Sequence, residues 1–464
     1  MKGAPAAGLS LLLTACTVGP DYRLPTHAVA TTTSATQPFA SAHESVFSPE
    51  ALPAYWWQLY RDPQLDRYVT EGLAANYDLR AADANLRQAT FIVREAEAGR
   101  LPTTTLSATA GLSRGLASGV SLANAGSYEL GGSIGYPLDL AGGISRGIEA
   151  ARDSAQAAEA VRDETRVTIA AAITRTYAAA CSANRTLSVT QHVLEVQRQT
   201  LDVTQRLFRG GRGTAFDVTR AKAAVNQSAA AIPSILSDRQ TSLYELAVLL
   251  GRAPAEYPKE VERCANPPVL ERLLPTGDGA SLIRRRPDLR QAERTLAAAT
   301  ATIGVETAQL YPQVSLGGSA ELAGPAAALA GGAEFGVSIG PLVTWTFPNR
   351  SLAKARIAAA GAVAEAAAAQ FDAAVLEALQ QTESALTAYA RELDHDRALT
   401  AVRDDDTKAA SQADRLFRLG ATGFLDLLTA QANLAAAEVA LATSQASVSD
   451  RQIDVFLALG GGWE

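Results

Sequence analysis

Few residues in this chain could carry covalent chemistry, and none sits in a catalytic spacing. The four His (27, 43, 192 and 395) and three Cys (16, 181 and 264) are scattered. No HExxH, CxxC or His cluster is present to ligate a metal. Two GxSxG matches, Gly131-Gly132-Ser133-Ile134-Gly135 and Gly336-Val337-Ser338-Ile339-Gly340, lie inside alternating segments. A nucleophile elbow needs a strand, a sharp turn and a helix, so a hydrolase is not indicated. The Gly210 to Gly213 stretch lacks the GK[ST] ending of a phosphate loop. Asp404-Asp405-Asp406 reads as a solvated helical face. The chemistry that remains is attachment. Leu13-Thr14-Ala15-Cys16 follows Lys2 and a short apolar stretch from Ala6 to Leu13, the pattern of a bacterial lipobox. Residues 1–15 are expected to be a signal peptide, and Cys16 to carry covalent lipid, palmitate included. No other cofactor is expected. One acyl set anchors weakly alone, so stable membrane residence needs a second element.

Composition narrows the partners. The chain has 464 residues, with 41 Lys plus Arg against 48 Asp plus Glu, a net charge of −7. A nucleic-acid binder would show a basic excess. Hydrophobic residues reach 47% with aromatics at only 6%. Alanine supplies much of the remainder, which suits long, closely packed helices. No unbroken run of 18 apolar residues occurs, so no spanning helix is expected.

The chain repeats itself. Asp78-Leu79-Arg80 returns as Asp288-Leu289-Arg290, and Pro102 returns as Pro312. Arg206-Leu207-Phe208-Arg209 returns as Arg415-Leu416-Phe417-Arg418, and Leu250-Gly251 as Leu459-Gly460. Two tandem copies follow, residues 64–251 and 279–464, joined by a Pro-rich linker, 252–278, and preceded by an extended segment, 16–63. Each copy reads as helix, two strands, very long helix, tight turn, helix.

Strands are expected near 102–115, 127–140, 312–323 and 333–347. Leu106, Ala108, Ala110 and Leu112 alternate with Thr105, Ser107, Thr109 and Gly111. Tyr128, Leu130, Ile134, Tyr136 and Leu138 oppose Glu129, Gly131, Ser133 and Asp139. Val314, Leu316, Ala320 and Leu322 oppose Gln313, Ser315, Ser319 and Glu321. Phe335, Val337, Ile339, Val343, Trp345 and Phe347 continue the apolar face. Such strands fit a transmembrane β-barrel wall; a soluble four-stranded sheet with one buried face is the plainer alternative. Four strands cannot close a barrel, and lipid does not tolerate open edges. If they span, several chains share one barrel, and three chains give twelve strands. Helices are expected from Gly143 to Phe208 and from Ser351 to Phe417, each about 100 Å long. In the second, Phe371, Val375, Leu379, Thr382, Leu386, Tyr389 and Leu393 form a coiled-coil stripe. Cys181 in a helix and Cys264 in the linker read as two separate thiols, with a disulfide between them the alternative in an oxidising compartment.

The helices turn at 208–217 and 417–426. Glycine supplies a left-handed helix end, and Thr just beyond can cap the returning helix. Gly210, Gly211, Gly213, Thr214, Leu419, Gly420, Thr422 and Gly423 are expected to dock a partner. In a tube of several chains, one Asp426 per chain forms a carboxylate ring, so Phe424, Leu425 and Asp426 are the expected gate.

These features together resemble the TolC-like outer-membrane efflux protein family, in its NodT-type, OprM-like lipoprotein branch. The resemblance rests on Cys16-Thr17-Val18-Gly19-Pro20-Asp21-Tyr22, Trp56-Trp57 with Asp62-Pro63 and Leu65, Arg285-Arg286-Pro287-Asp288-Leu289, and Leu459-Gly460-Gly461-Gly462-Trp463. Thr17 in place of Asp after the cysteine points, by family habit, to the outer membrane. The resemblance implies an α+β membrane protein: a homotrimer with a shared twelve-stranded outer-membrane β-barrel and a periplasmic α-helical barrel. It implies docking to a periplasmic membrane-fusion adaptor and an inner-membrane pump. That pump would be of the resistance-nodulation-division type, or else of the MFS or ABC type. Family tips of the form Val-Gly-x-x-Thr are matched only in part, and a second family Asp is Thr429 here. The function expected is a passive exit duct of a tripartite efflux pump, conducting small molecules such as drugs. A type I protein-secretion duct and a non-conducting structural lipoprotein are the alternatives.

Overall fold

The computed structural model describes residues 17–43, 45–113, 116–117, 120–121, 125–270, 273–326, 333–347 and 350–461. Cys16, the signal segment 1–15, Gly462 and Trp463 lie outside them. The two copies have matching elements. The first runs α1 (Pro63–Ala75), α2 (Tyr77–Ala98), β1 (Thr103–Ser113), β2 (Ala125–Leu138), α3 (Gly143–Arg209) and α4 (Ala215–Leu249). The second runs α5 (Gly279–Arg285), α6 (Pro287–Ala308), β3 (Gln313–Pro325), β4 (Glu334–Thr344), α7 (Arg350–Arg418) and α8 (Phe424–Ala458). The long helices have 67 and 69 residues, and both returning helices have 35.

The compact units cut across the copies. One comprises Met1–Pro25, Asn85–Glu159 and Gln291–Phe371; the other comprises Thr26–Ala84, Ala160–Arg290 and Asp372–Glu464. Neither copy buries a core alone, so each unit draws elements from both.

In the first unit the strands form one antiparallel sheet in the order β1-β2-β3-β4. Its register decides the faces, because directly paired residues share a side. Thr104, Ile134, Gly318 and Ile339 form one row, and Ala108, Leu130, Leu322 and Phe335 another. On the reverse side Thr105, Ser133, Ser319 and Ser338 align, with the hydroxyls of Ser319 and Ser338 2.8 Å apart. Every strand puts most of its large apolar residues on the same face; Leu342, paired with Ser315, is the exception. Both serines of the GxSxG matches lie mid-strand. Asp139 is the exception to the expected pattern. It leaves β2 and caps α3 instead, accepting from the Ile144 and Ser145 amides at 2.9 and 2.8 Å. Trp345 and Phe347 also fall beyond β4, whose end the indole leaves by donating to the Leu310 carbonyl at 3.3 Å.

In the second unit an aromatic core forms around Trp56, which is wholly buried and stacks on Phe456 with ring centroids 4.5 Å apart. Asp62 caps α1, accepting from the Gln64 and Leu65 amides, and its other oxygen accepts from the Tyr177 hydroxyl at 2.9 Å. The segment before α1 is less extended than expected, with short helical turns at Val29–Thr31, Thr33–Thr36, Ala40–His43 and Trp56–Tyr60. The coiled-coil seam also shifts. Phe371, Val375, Thr382, Leu386 and Tyr389 are buried, but Ala378 replaces Leu379, which is half-buried like Leu393. Alanine at that step lets neighbouring backbones approach more closely than leucine would.

Two expectations are corrected. Cys181 and Cys264 are joined in a disulfide, with Cα atoms 4.9 Å apart. The linker folds back so that Cys264 reaches the wholly buried Cys181. The bond spans 83 residues, a loop long enough for cross-linking to constrain the unfolded chain strongly. Cys264→Ser is expected to cost about 2–4 kcal/mol, read as a lowered denaturant midpoint. Reduction of the wild type should match it, and an unmoved midpoint would contradict that role. Secondly, α7 and α8 each contain an 18-residue window with mean hydropathy 1.2, apolar enough by length and composition to cross a membrane. The expectation required an unbroken apolar run. These windows average alanine-rich sequence interrupted by single polar residues, and only 17% and 22% of them is buried.

Candidate functional site: the helix-hairpin tips

Both tips are built alike, from the helix end outwards. Gly211 (φ +71°) and Gly420 (φ +72°) adopt the left-handed conformation that L side chains disfavour. The Arg212 amide then reaches the Leu207 carbonyl at 2.8 Å, and the Gly211 amide the Phe208 carbonyl at 3.0 Å. At the second tip Ala421 to Leu416 and Gly420 to Phe417 repeat this, both at 2.9 Å. Paired bonds of this kind satisfy carbonyls that a helix end otherwise leaves open.

The returning helices start differently. Thr214 caps α4: its hydroxyl oxygen accepts from the Asp217 amide at 3.1 Å, while the Asp217 carboxylate accepts from the Thr214 amide at 3.1 Å. At the second tip Gly423 stands where Thr214 does. Asp426 therefore takes the Gly423 amide at 3.3 Å and the Thr422 hydroxyl at 2.5 Å. Thr422, not a residue at the cap position, supplies the hydroxyl. Asp426 thus has a local structural role, the one Asp217 also has.

The tips leave apolar surface uncovered. Leu419 is 81% exposed, Phe216 67%, Leu425 51% and Phe208 46%, while Phe424 is half-buried and packs on Phe417 at 6.0 Å. Gly210, Gly213 and Gly423 complete the turns, and Gly213 passes so close to Phe208 that a side chain would crowd its amide.

A second set of contacts accounts for the mid-chain motif. Arg286 is 8% exposed and uses its whole guanidinium. It grips Asp288 through both carboxylate oxygens at 3.0 and 2.7 Å, the Ala458 carbonyl at 2.8 Å and the Gln381 amide oxygen at 2.9 Å. Gly460, at φ +67°, passes so near that a Cβ would lie 2.8 Å from the Arg286 Cγ. The Arg-Pro-Asp and Leu-Gly-Gly motifs are two halves of one lock. Burial and the neighbouring Asp288 charge raise the Glu164 carboxyl beside it, and Arg286 opposes the rise.

In the first unit Arg146, 4% exposed, holds the N-terminal strap. It donates to the Val18 and Gly19 carbonyls at 3.1 and 3.3 Å and to Asp21 at 2.7 Å. The Val18 amide reaches Ala141, three residues past β2, at 3.2 Å. Sequence reasoning singled out neither Arg146 nor Arg286 for a role. Among the described residues no group of three or more His, Cys, Asp or Glu could hold a metal ion.

The model of the outer membrane efflux protein family matches residues 69–252 and 280–461, the two copies. The chain belongs to that family. Nodulation protein T of Rhizobium leguminosarum bv. trifolii is 31% identical over 98% of this chain and 96% of its own. The antibiotic efflux pump outer membrane protein ArpC of Pseudomonas putida is 27% identical, over 98% of this chain and 95% of its own. Among solved structures the outer-membrane channel OprN superposes with a TM-score of 0.87 at 32% identity, covering 97% of this chain and all of that one. This member of the outer membrane efflux protein family is therefore an efflux channel of the outer membrane that extends into the periplasm.

Proposed function

We propose that three copies close one twelve-stranded barrel and form a passive exit duct, acylated at Cys16, for a tripartite efflux pump. The sheet carries the proposal. Its register puts most of its large apolar residues on one face and its hydroxyls and carboxylates mostly on the other, with Leu342 the main exception, and among the described residues β1 and β4 each pair on one side only. Open edges are not tolerated in lipid, so neighbouring copies must supply the missing partners. The strap supports the anchor: it fixes Thr17, the residue that follows Cys16, against Gly142, beside the base of β2. Acyl chains on Cys16 would enter the same leaflet the strands enter.

The exposed apolar tips dock a periplasmic adaptor, and an inner-membrane pump supplies the energy; the duct itself catalyses nothing. The cargo is small molecules, drugs included, a class suggested by the relative named as an antibiotic efflux component. At rest Phe424, Leu425 and Asp426 narrow the periplasmic end, and docking splays the inner pair α7–α8.

Asp426 and Asp217 make equivalent capping contacts, so comparing them separates gate from cap. Asp426→Ala should raise resting conductance in a planar bilayer severalfold, whereas Asp217→Ala should not. Each loses two exposed cap contacts, together about 1 kcal/mol, so stability changes alike in both. Equal currents from both variants would remove Asp426 from the gate.

A further inference from the structure

One cavity among the described residues has no part in the duct reading. It lies between α3, the end of α7 and the start of α8, and encloses about 630 Å3, the size of a small-molecule site. Val193, Val196, Val203 and Leu434 give it an apolar wall. Its polar groups are unevenly matched. Arg206 pairs with Asp202 at 3.0 Å and Arg418 with Asp414 at 2.9 Å, so those four charges cancel. Gln197 is 9% exposed, and its side-chain oxygen is buried with no donor. The Glu438 carboxylate has no ion pair among the described residues; burial raises its pKa, while His192 and Arg403 draw it down. The Thr200 hydroxyl donates to Gln431 at 3.0 Å, which fixes α3 against α8 and keeps the space open on either side of that contact.

Both unmatched atoms are acceptors, and the wall beside them is hydrocarbon. We propose that this cavity binds an amphipathic amine, its ammonium donating to the Gln197 oxygen and drawn by the Glu438 charge, its apolar part against the valines and Leu434. An anion would meet the Glu438 carboxylate and the donorless Gln197 oxygen, and a neutral hydrocarbon would leave Gln197 without a donor. Such a ligand touches α3 on one side and α7 and α8 on the other. It therefore ties the inner pair to its neighbour; that consequence rests on the gate reading above, whereas the binding does not.

The test is calorimetric titration of the full chain in lipid nanodiscs with 2-naphthylmethylamine, with 2-naphthylmethanol as the uncharged counterpart. Empty nanodiscs correct for partition into lipid. The expected result is one saturable amine site per chain, with the alcohol at least tenfold weaker. Glu438→Gln keeps the side-chain shape and should weaken the amine at least tenfold while leaving the alcohol within threefold. Gln197→Leu should weaken amine and alcohol alike, because either can donate to the Gln197 oxygen. Equal affinity for amine and alcohol, wild-type affinity in both variants, or no saturable site would each overturn the proposal. Native mass measured on the same samples separates the two readings, since a monomer sinks the shared barrel and leaves amine binding to be judged on its own.

Discussion

Ile339→Lys should abolish assembly in the outer membrane, while Ser338→Lys, one residue away, should leave it standing. Ile339 is 92% exposed in the single chain and lies on the apolar face, in the row of Thr104, Ile134 and Gly318. Ser338 lies in the hydroxyl row on the opposite face. If the first face meets lipid, a lysine there costs about 2–4 kcal/mol near the bilayer midplane. That cost is incurred once per chain, so a three-chain barrel carries it three times. If the second face lines a water-filled lumen, its lysine stays solvated and alters only the charge of the passage. The measurement is the amount of each variant recovered from purified outer membranes as the native oligomer. Equal recovery would mean that the faces do not divide lipid from water, and a soluble sheet would then regain ground.

Arg286→Leu is the second large effect expected, and it is thermodynamic. Removing the guanidinium strips Asp288, whose side chain is 30% exposed, of its counter-charge, takes the Gln381 oxygen's donor away and leaves the Ala458 carbonyl with the Thr382 hydroxyl alone, at 3.3 Å. Losing these charge-assisted hydrogen bonds costs about 1.5–3 kcal/mol, since water can reach the groups left behind only in part. Arg286→Lys should recover only part of the loss. A single ammonium cannot grip both carboxylate oxygens and also reach a helix-end carbonyl and an amide. Chemical denaturation of the two variants beside wild type measures this directly. If the lysine variant proves as stable as wild type, the lock is one of charge alone and the planar fork contributes nothing.

What the sequence revealed and what it hid divide along a physical line. Local periodicity was legible. Alternation across Thr105–Leu112 and Val314–Leu322 fixed strands and faces, and the absence of proline from Gly143 to Phe208 marked a helix that runs one residue further. The repeat was legible because each copy needs the same helix-end glycine and the same capping Asp, seen at Gly211 with Asp217 and at Gly420 with Asp426. Contacts between distant residues were hidden. Cys181 and Cys264 meet only after the linker has folded back, and nothing in their spacing announces it. The Arg-Pro-Asp motif was visible as a pattern, but its partner Ala458 lies 172 residues away. Leu379 yielded the seam to Ala378 because helix approach distance, which no single-helix pattern encodes, selects the smaller side chain. Asp139 was counted with a strand because alternation continues one position past the point where the helix cap takes over.

The shared barrel is the claim on which the duct, its lumen and its gate all depend. Native mass spectrometry of the protein extracted in detergent from outer membranes tests it most directly. The account predicts three chains in one particle, each mature chain beginning at an acylated Cys16. A monomer, with β1 and β4 left to find no neighbour, would contradict it.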